Sequence, residues 1–139
     1  MNRLKRFEGD LNDWSTTFNS VGDYLMDVYS RLMFSTEGAY LGQRWANLSP
    51  GYEVQKAKKY PGRGILEASG KLKGGFRKQV GPQSLEIKNV ITYAHWHQDG
   101  SPGGMIKQRP LIGMSDQVEG KIVNFFIDGV TGKIRKAFS

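Results

Sequence analysis

A chain of 139 residues, 38% of them hydrophobic and 24% charged, suits a single domain with its own core and is neither strongly disordered nor membrane-like. With no cysteine it is excluded from disulfides, thiolate metal sites and cysteine nucleophiles. Its formal charge of +7 fits a solvated lysine-rich surface or attraction to polyanions, and charge alone identifies no partner.

The chain begins with the basic stretch Met1-Asn2-Arg3-Leu4-Lys5-Arg6. Phe7-Glu8-Gly9-Asp10 then interrupts it before any apolar run like that of a signal peptide. No stretch approaches the ~20 apolar residues that cross a bilayer. The expectation is a protein made and used in a cytoplasm.

Across residues 3–34, Leu4, Phe7, Leu11, Trp14, Phe18, Val21, Leu25, Val28 and Leu32 recur at alternating spacings of three and four, which places them on one helical face. Gly9, Gly22 and the polar run around Asn12 weaken the pattern, and Asp13 is suited to cap a second helix. One bent helix or two successive helices are expected. The apolar face packs on its own domain or on a neighbouring subunit, with Leu4, Phe7, Leu11, Trp14 and Phe18 as the candidate interface.

Residues 35–64 read as irregular, punctuated by Gly38, Gly42, Pro50, Gly51, Pro61, Gly62 and Gly64. Within them, Ser49 before Pro50 is a helix-start signal. A short basic helix over Tyr52–Tyr60 is expected, with Lys56, Lys58 and Lys59 exposed. Residues 65–92 read as a β region. Leu72, Gly74, Phe76, Lys78 and Val80 share one strand face, Gly81-Pro82-Gln83-Ser84 is a turn, and Leu85, Ile87 and Asn89 begin a second strand that Val90, Ile91 and Thr92 extend. Residues 93–114 form a loop segment. A last helix over 115–130, capped by Ser115 and carrying Val118, Ile122, Phe125 and Phe126, is stopped by Gly129, Thr131 and Gly132. The class is α+β: a long N-terminal amphipathic helix, or two, a central antiparallel hairpin, and a C-terminal helix packed on the sheet.

Candidate chemistry is sparse. His95 and His97 would share a face on a strand and, with Asp99 or Glu86, offer ligands to a metal. On a helix they diverge by roughly 200°. The favoured reading is a histidine bonded to nearby backbone while Trp96 packs in the core. Ser69 lacks the strand–turn–helix elbow of a catalytic serine, and Gly70…Gly74-Gly75 lacks the Gly-Lys-Ser/Thr that grips phosphate. No carboxylate pair stands out among the 13 acidic residues. No catalytic, cofactor or metal site is expected. The rival to a structural role is nucleic-acid binding by Arg63, Lys71, Lys73, Arg77 and Lys78 with Tyr60 and Phe76, although Phe76 shares the apolar strand face and is better placed for the core.

Four blocks in order resemble one family. Trp45-Ala46-Asn47-Leu48-Ser49-Pro50, with Lys56 downstream, resembles the tryptophan–leucine–serine–proline segment of phage virion morphogenesis proteins of the Mu-like tail-completion group. Ile65-Leu66-Glu67-Ala68-Ser69-Gly70-Lys71-Leu72, Tyr93-Ala94-His95-Trp96-His97-Gln98-Asp99-Gly100 and Arg109-Pro110-Leu111-Ile112-Gly113-Met114-Ser115 resemble the segments that follow it. The resemblance implies a structural virion protein, without enzymatic activity, at the tail or head–tail junction. It would assemble into a ring with its own copies, six being one such closure, and meet other tail or neck proteins, with non-specific contact to packaged DNA as a further option. On this reading Trp45 and Leu48 anchor the irregular segment. Tyr93, His97 and Gln98 fix the turn after the hairpin by side-chain hydrogen bonds, and Arg109 pairs with a carboxylate or carbonyls. The loop over residues 99–108 is a second candidate interface.

Overall fold

A computed structural model describes residues 3–139. The order of elements is α1 (Arg3–Leu11), α2 (Ser15–Asp27), a π turn (Val28–Leu32), α3 (Met33–Ser35), α4 (Pro50–Lys59), β1 (Phe76–Val80), β2 (Leu85–Asn89), α5 (Ala94–Asp99) and α6 (Asp116–Phe138). The strands form one two-stranded sheet, so the class is α+β. The chain divides into two compact units. One comprises the N-terminal segment as far as Leu25, with Lys78–Ile87 and Asp116–Ser139; the other comprises Met26–Arg77 and Lys88–Ser115.

In the first unit the break between α1 and α2 follows local chemistry. Asn12 and Asp13 close three-residue turns onto Gly9 and Asp10, and the Asp13 carboxylate accepts both the N–H (3.0 Å) and the hydroxyl (2.6 Å) of Ser15. Those bonds start α2 and hold the Asp13 carboxyl below the usual carboxylate range. The expected apolar stripe then meets α6: Phe7 lies on Phe138 at 5.9 Å, and Trp14 and Phe18 lie on Phe126 at 5.7 and 5.4 Å. Helices α1 and α2 therefore support α6.

Helix α6 does not stop at Gly129 but runs on to Phe138. A helical glycine costs only about 1 kcal/mol relative to alanine. Against that stand the Phe7–Phe138 contact, bonds from the Lys133 ammonium to the carbonyls of Asp10 and Asp13, and its place 4.9 Å above the Trp14 ring. Gly129 also has a packing reason, because a Cβ there would collide with the Thr17 hydroxyl and press on Trp14 at 3.3 Å. Overpacking costs about 1–3 kcal/mol, which exceeds the helix-propensity gain of about 1 kcal/mol. Gly129→Ala is therefore expected to lower the thermal midpoint. In a Thr17→Ala background the same change raises it. A rise in both backgrounds would show that Gly129 is not packed as described.

In the second unit the π turn carries an extra residue per turn and shifts the buried face. Val28 and Tyr29 are both interior, and the stripe continues through Met33 and Phe34, not through Leu32 as a strict helical period expects. The hairpin, whose tip over Lys78–Ile87 belongs to the first unit, is shorter than the sequence expects. Leu72 and Gly74 lie outside β1, since Lys73–Gly75 is a 3-10 turn, and Val90–Thr92 lies outside β2. Asn89 ends the pairing: its side chain donates to the Leu72 carbonyl (2.8 Å) and accepts from the Ile91 N–H (3.0 Å). The turn at residues 81–84 is as expected, closed by Gly81 N–H to Ser84 O at 2.8 Å.

Candidate functional site

The segments that carry the sequence motifs converge in the second unit around a cavity of about 1010 Å³. Its walls include Leu48, Ser49, Pro50, Tyr52, Lys56, Leu66, Ser69, Gly70, Leu72, Tyr93, His97, Met105, Ile106, Lys107 and Arg109.

Gly38 turns the chain after α3. It adopts φ +89°, and a Cβ would meet the Gln43 carbonyl and Trp45 Cδ1, both at 2.7 Å. The turn brings Trp45 back over the helix, where its N–H bonds Glu37 O (2.6 Å) and its ring stands edge-on to Phe34 at 5.3 Å. Trp45 is buried and donates its indole N–H to Pro110 O at 2.8 Å. Leu48 is half-buried on the cavity wall. Ser49 makes no side-chain cap, so α4 starts on the fixed φ of Pro50 alone. On α4, Tyr52 and Lys56 stand one turn apart and both reach the cavity.

Lys56 departs from expectation. Lys58 and Lys59 are exposed, whereas Lys56 is 6% exposed and donates to Gly64 O. Its amine is held below the usual lysine range by burial, with Arg109 adding to the effect and Glu67 and Glu37 opposing it. Leu66 on the same wall sits at φ +64°, a conformation that costs a leucine on the order of 1–3 kcal/mol.

His95 and His97 lie on a helix and not on a strand, so they diverge. His95 Nδ1 is 2.9 Å from Thr92 O, which is the expected backbone bond, but Trp96 is 36% exposed and no core residue. Among the described residues no group of three or more His, Asp or Glu side chains is placed to hold a metal ion. Nor is any described helix long and apolar enough to cross a membrane.

Of the three side chains expected to fix this turn, only Gln98 does so by hydrogen bonding. Its Oε1 accepts from Leu111 N (2.8 Å) and Ile112 N (3.0 Å), and its Nε2 donates to Ile112 O (2.9 Å). Tyr93 instead packs edge-on against His97 at 6.1 Å. His97 Nδ1 is buried without any partner, while the His97 carbonyl accepts from Arg109 N at 2.6 Å. Gly100 ends α5 at φ +77°, and Gly113 O accepts from the Tyr29 hydroxyl at 2.8 Å. Arg109, 7% exposed, donates from Nε to Ala46 O (2.8 Å) and from Nη2 to Asn47 O (3.0 Å), so its partners are carbonyls.

Burial, then the Arg109 charge, pushes the His97 imidazole below its ordinary 6.5. The folded chain therefore binds fewer protons here than the unfolded chain does once the pH falls below 6.5. This contribution to stability is full above 6.5 and declines as the pH drops toward the folded value. Denaturant midpoints measured down that range should fall, and His97→Gln should flatten the fall. An unchanged slope in the variant would assign it elsewhere.

The candidate interface on α1 and α2 divides. Phe7, Trp14 and Phe18 face α6 of the same chain, whereas Leu4 and Leu11 are exposed. Of the basic set, Lys73 is bridged to Glu67 (3.0 Å), Lys78 to Asp23, and Arg77 bonds the carbonyls of Gly74 and Phe76. Phe76 is interior, at 2% exposure, and offers no stacking platform.

The family model described as the phage virion morphogenesis family matches residues 1–130. No curated protein and no solved structure matches the chain.

Proposed function

Because the chain belongs to the phage virion morphogenesis family, we propose that it is a structural protein that completes the tail or neck and enables head–tail joining by forming a ring of its own copies. It works as one tail-completion domain, without catalysis, in the virion after assembly in the host cytoplasm. The observation that carries this reading is an exposed apolar row on α6. Val123, Ile127, Val130, Ile134 and Phe138 recur at helical spacing and are all exposed, Ile127 by 55%. Leu4 and Leu11 add exposed apolar area on α1, which packs beside it. A closed ring joins unlike patches of successive subunits, and a ring of six is one solution.

Mass in solution tests self-association, and addition of the protein to tails that lack it tests function. Ile127→Asp should leave stability within about 0.5 kcal/mol of the parent, as surface changes do, and should abolish both assembly and restored head joining. An Ile127→Asp protein that still assembles would remove the row from the argument. Failure of the parent protein to restore joining would remove the function. The alternative, a basic nucleic-acid-binding module, draws on the +7 charge and on exposed Arg63 and Lys71. It requires DNA affinity at low salt that falls steadily as salt rises.

A further inference from the structure

Two cations are buried at the cavity, and among the described residues no carboxylate is bonded to either. Lys56 and Arg109 are 6% and 7% exposed, and their protein partners are neutral carbonyls: Gly64 for the amine, Ala46 and Asn47 for the guanidinium. Arg109 makes its two bonds through Nε and Nη2, and no bond from Nη1 is seen among the described residues. The nearby carboxylates are engaged elsewhere. Glu67 bridges Lys73 at 3.0 Å, and Glu37 takes Arg44 at 3.5 Å and the Ile65 N–H at 3.3 Å. His97, whose Nδ1 lacks a partner, lines the same space. Buried cations left in this state are costly, and an entering anion relieves the cost.

We propose that this cavity receives a carboxylate side chain carried, between apolar residues, on a segment of a different and acidic virion protein. The inference rests on the assembly role proposed above and names a partner for it. Two features select the occupant. The apolar side chains of Leu48, Leu66, Leu72 and Ile106 stand beside the polar ones in the walls, which suits a carboxylate flanked by aliphatic side chains. A second copy brings a net charge of +7 to a cationic pocket, so an acidic protein is the favoured occupant. Met105, 93% exposed at the rim beside the Pro102–Gly104 turn, supplies an adaptable apolar contact for the arriving segment.

The test is fluorescence anisotropy of the full chain with a labelled, doubly capped hexapeptide in which one aspartate is flanked by leucines. Saturable binding is expected, weakened about tenfold or more when asparagine replaces the aspartate, and by a similar factor in Lys56→Met. Lys107→Glu, an exposed change at the cavity wall that folding tolerates, should weaken it severalfold even where Lys56→Met fails to fold. Equal binding of the two peptides, no saturable binding of either, displacement by a DNA oligonucleotide, or loss of self-association in Lys107→Glu would each overturn the proposal. Restored head joining without peptide binding sinks this inference and leaves the assembly role standing. Peptide binding without restoration does the reverse.

Discussion

Trp45→Ala is expected to destabilise the chain by about 3–5 kcal/mol, the range for truncating a buried aromatic side chain. Trp45 is 3% exposed, stands edge-on to Phe34 and donates its indole N–H to Pro110 O. The alanine variant removes the ring, opens a cavity beside Phe34 and leaves the Pro110 carbonyl without its donor. Trp45→Phe separates these contributions, because it keeps a ring and loses the hydrogen bond, worth about 1 kcal/mol net. Urea midpoints followed by far-ultraviolet circular dichroism measure both. An alanine variant with the parent's midpoint would mean that the return of the chain at Gly38 does not seat Trp45 as described.

Gln98→Leu should cost on the order of 3 kcal/mol, from a different cause. Leucine fills similar space but strips three hydrogen bonds, leaving the N–H groups of Leu111 and Ile112 and the Ile112 carbonyl without partners. Each unsatisfied buried polar group costs about 1–3 kcal/mol, and partial access to water at half-buried Ile112 keeps the sum near the lower end. Gln98→Glu should fall between leucine and the parent. Its carboxylate still accepts from both N–H groups but repels the carbonyl that Nε2 had donated to. Hydrogen exchange gives a local readout: the Leu111 and Ile112 amides should lose protection in Gln98→Leu before the rest of the unit does. Retained protection at those two amides would contradict the clamp.

These two side chains show how far a sequence reading reaches. Trp45 and Gln98 could be singled out from the order of motif blocks, but what they grip could not. Their partners, Pro110, Leu111 and Ile112, lie far along the chain or beyond a loop, and nothing local specifies the pairing. Lys56 illustrates the reverse error. A lysine on a basic helix reads as solvated, and only the Gly64 carbonyl and the surrounding walls bring it inside. The histidine pair was ambiguous because strand and helix place alternate residues differently, and six residues are too few for periodicity to decide between them.

What the sequence determined by itself is local and covalent in origin. Apolar spacing set the N-terminal helices, Asp13 set the start of α2, Pro50 that of α4, and residues 81–84 the hairpin turn. The lack of cysteine removed a whole class of chemistry. Tertiary packing alone decided the π turn that shifts burial from Leu32 to Met33 and Phe34, the run of α6 past Gly129, and the cavity around Arg109. The physical reason is the size of the competing terms. Intrinsic preferences amount to about 1 kcal/mol per residue or less for all but proline. A single buried aromatic contact or an orphaned hydrogen bond exceeds that, and both depend on residues that meet only after the chain has folded.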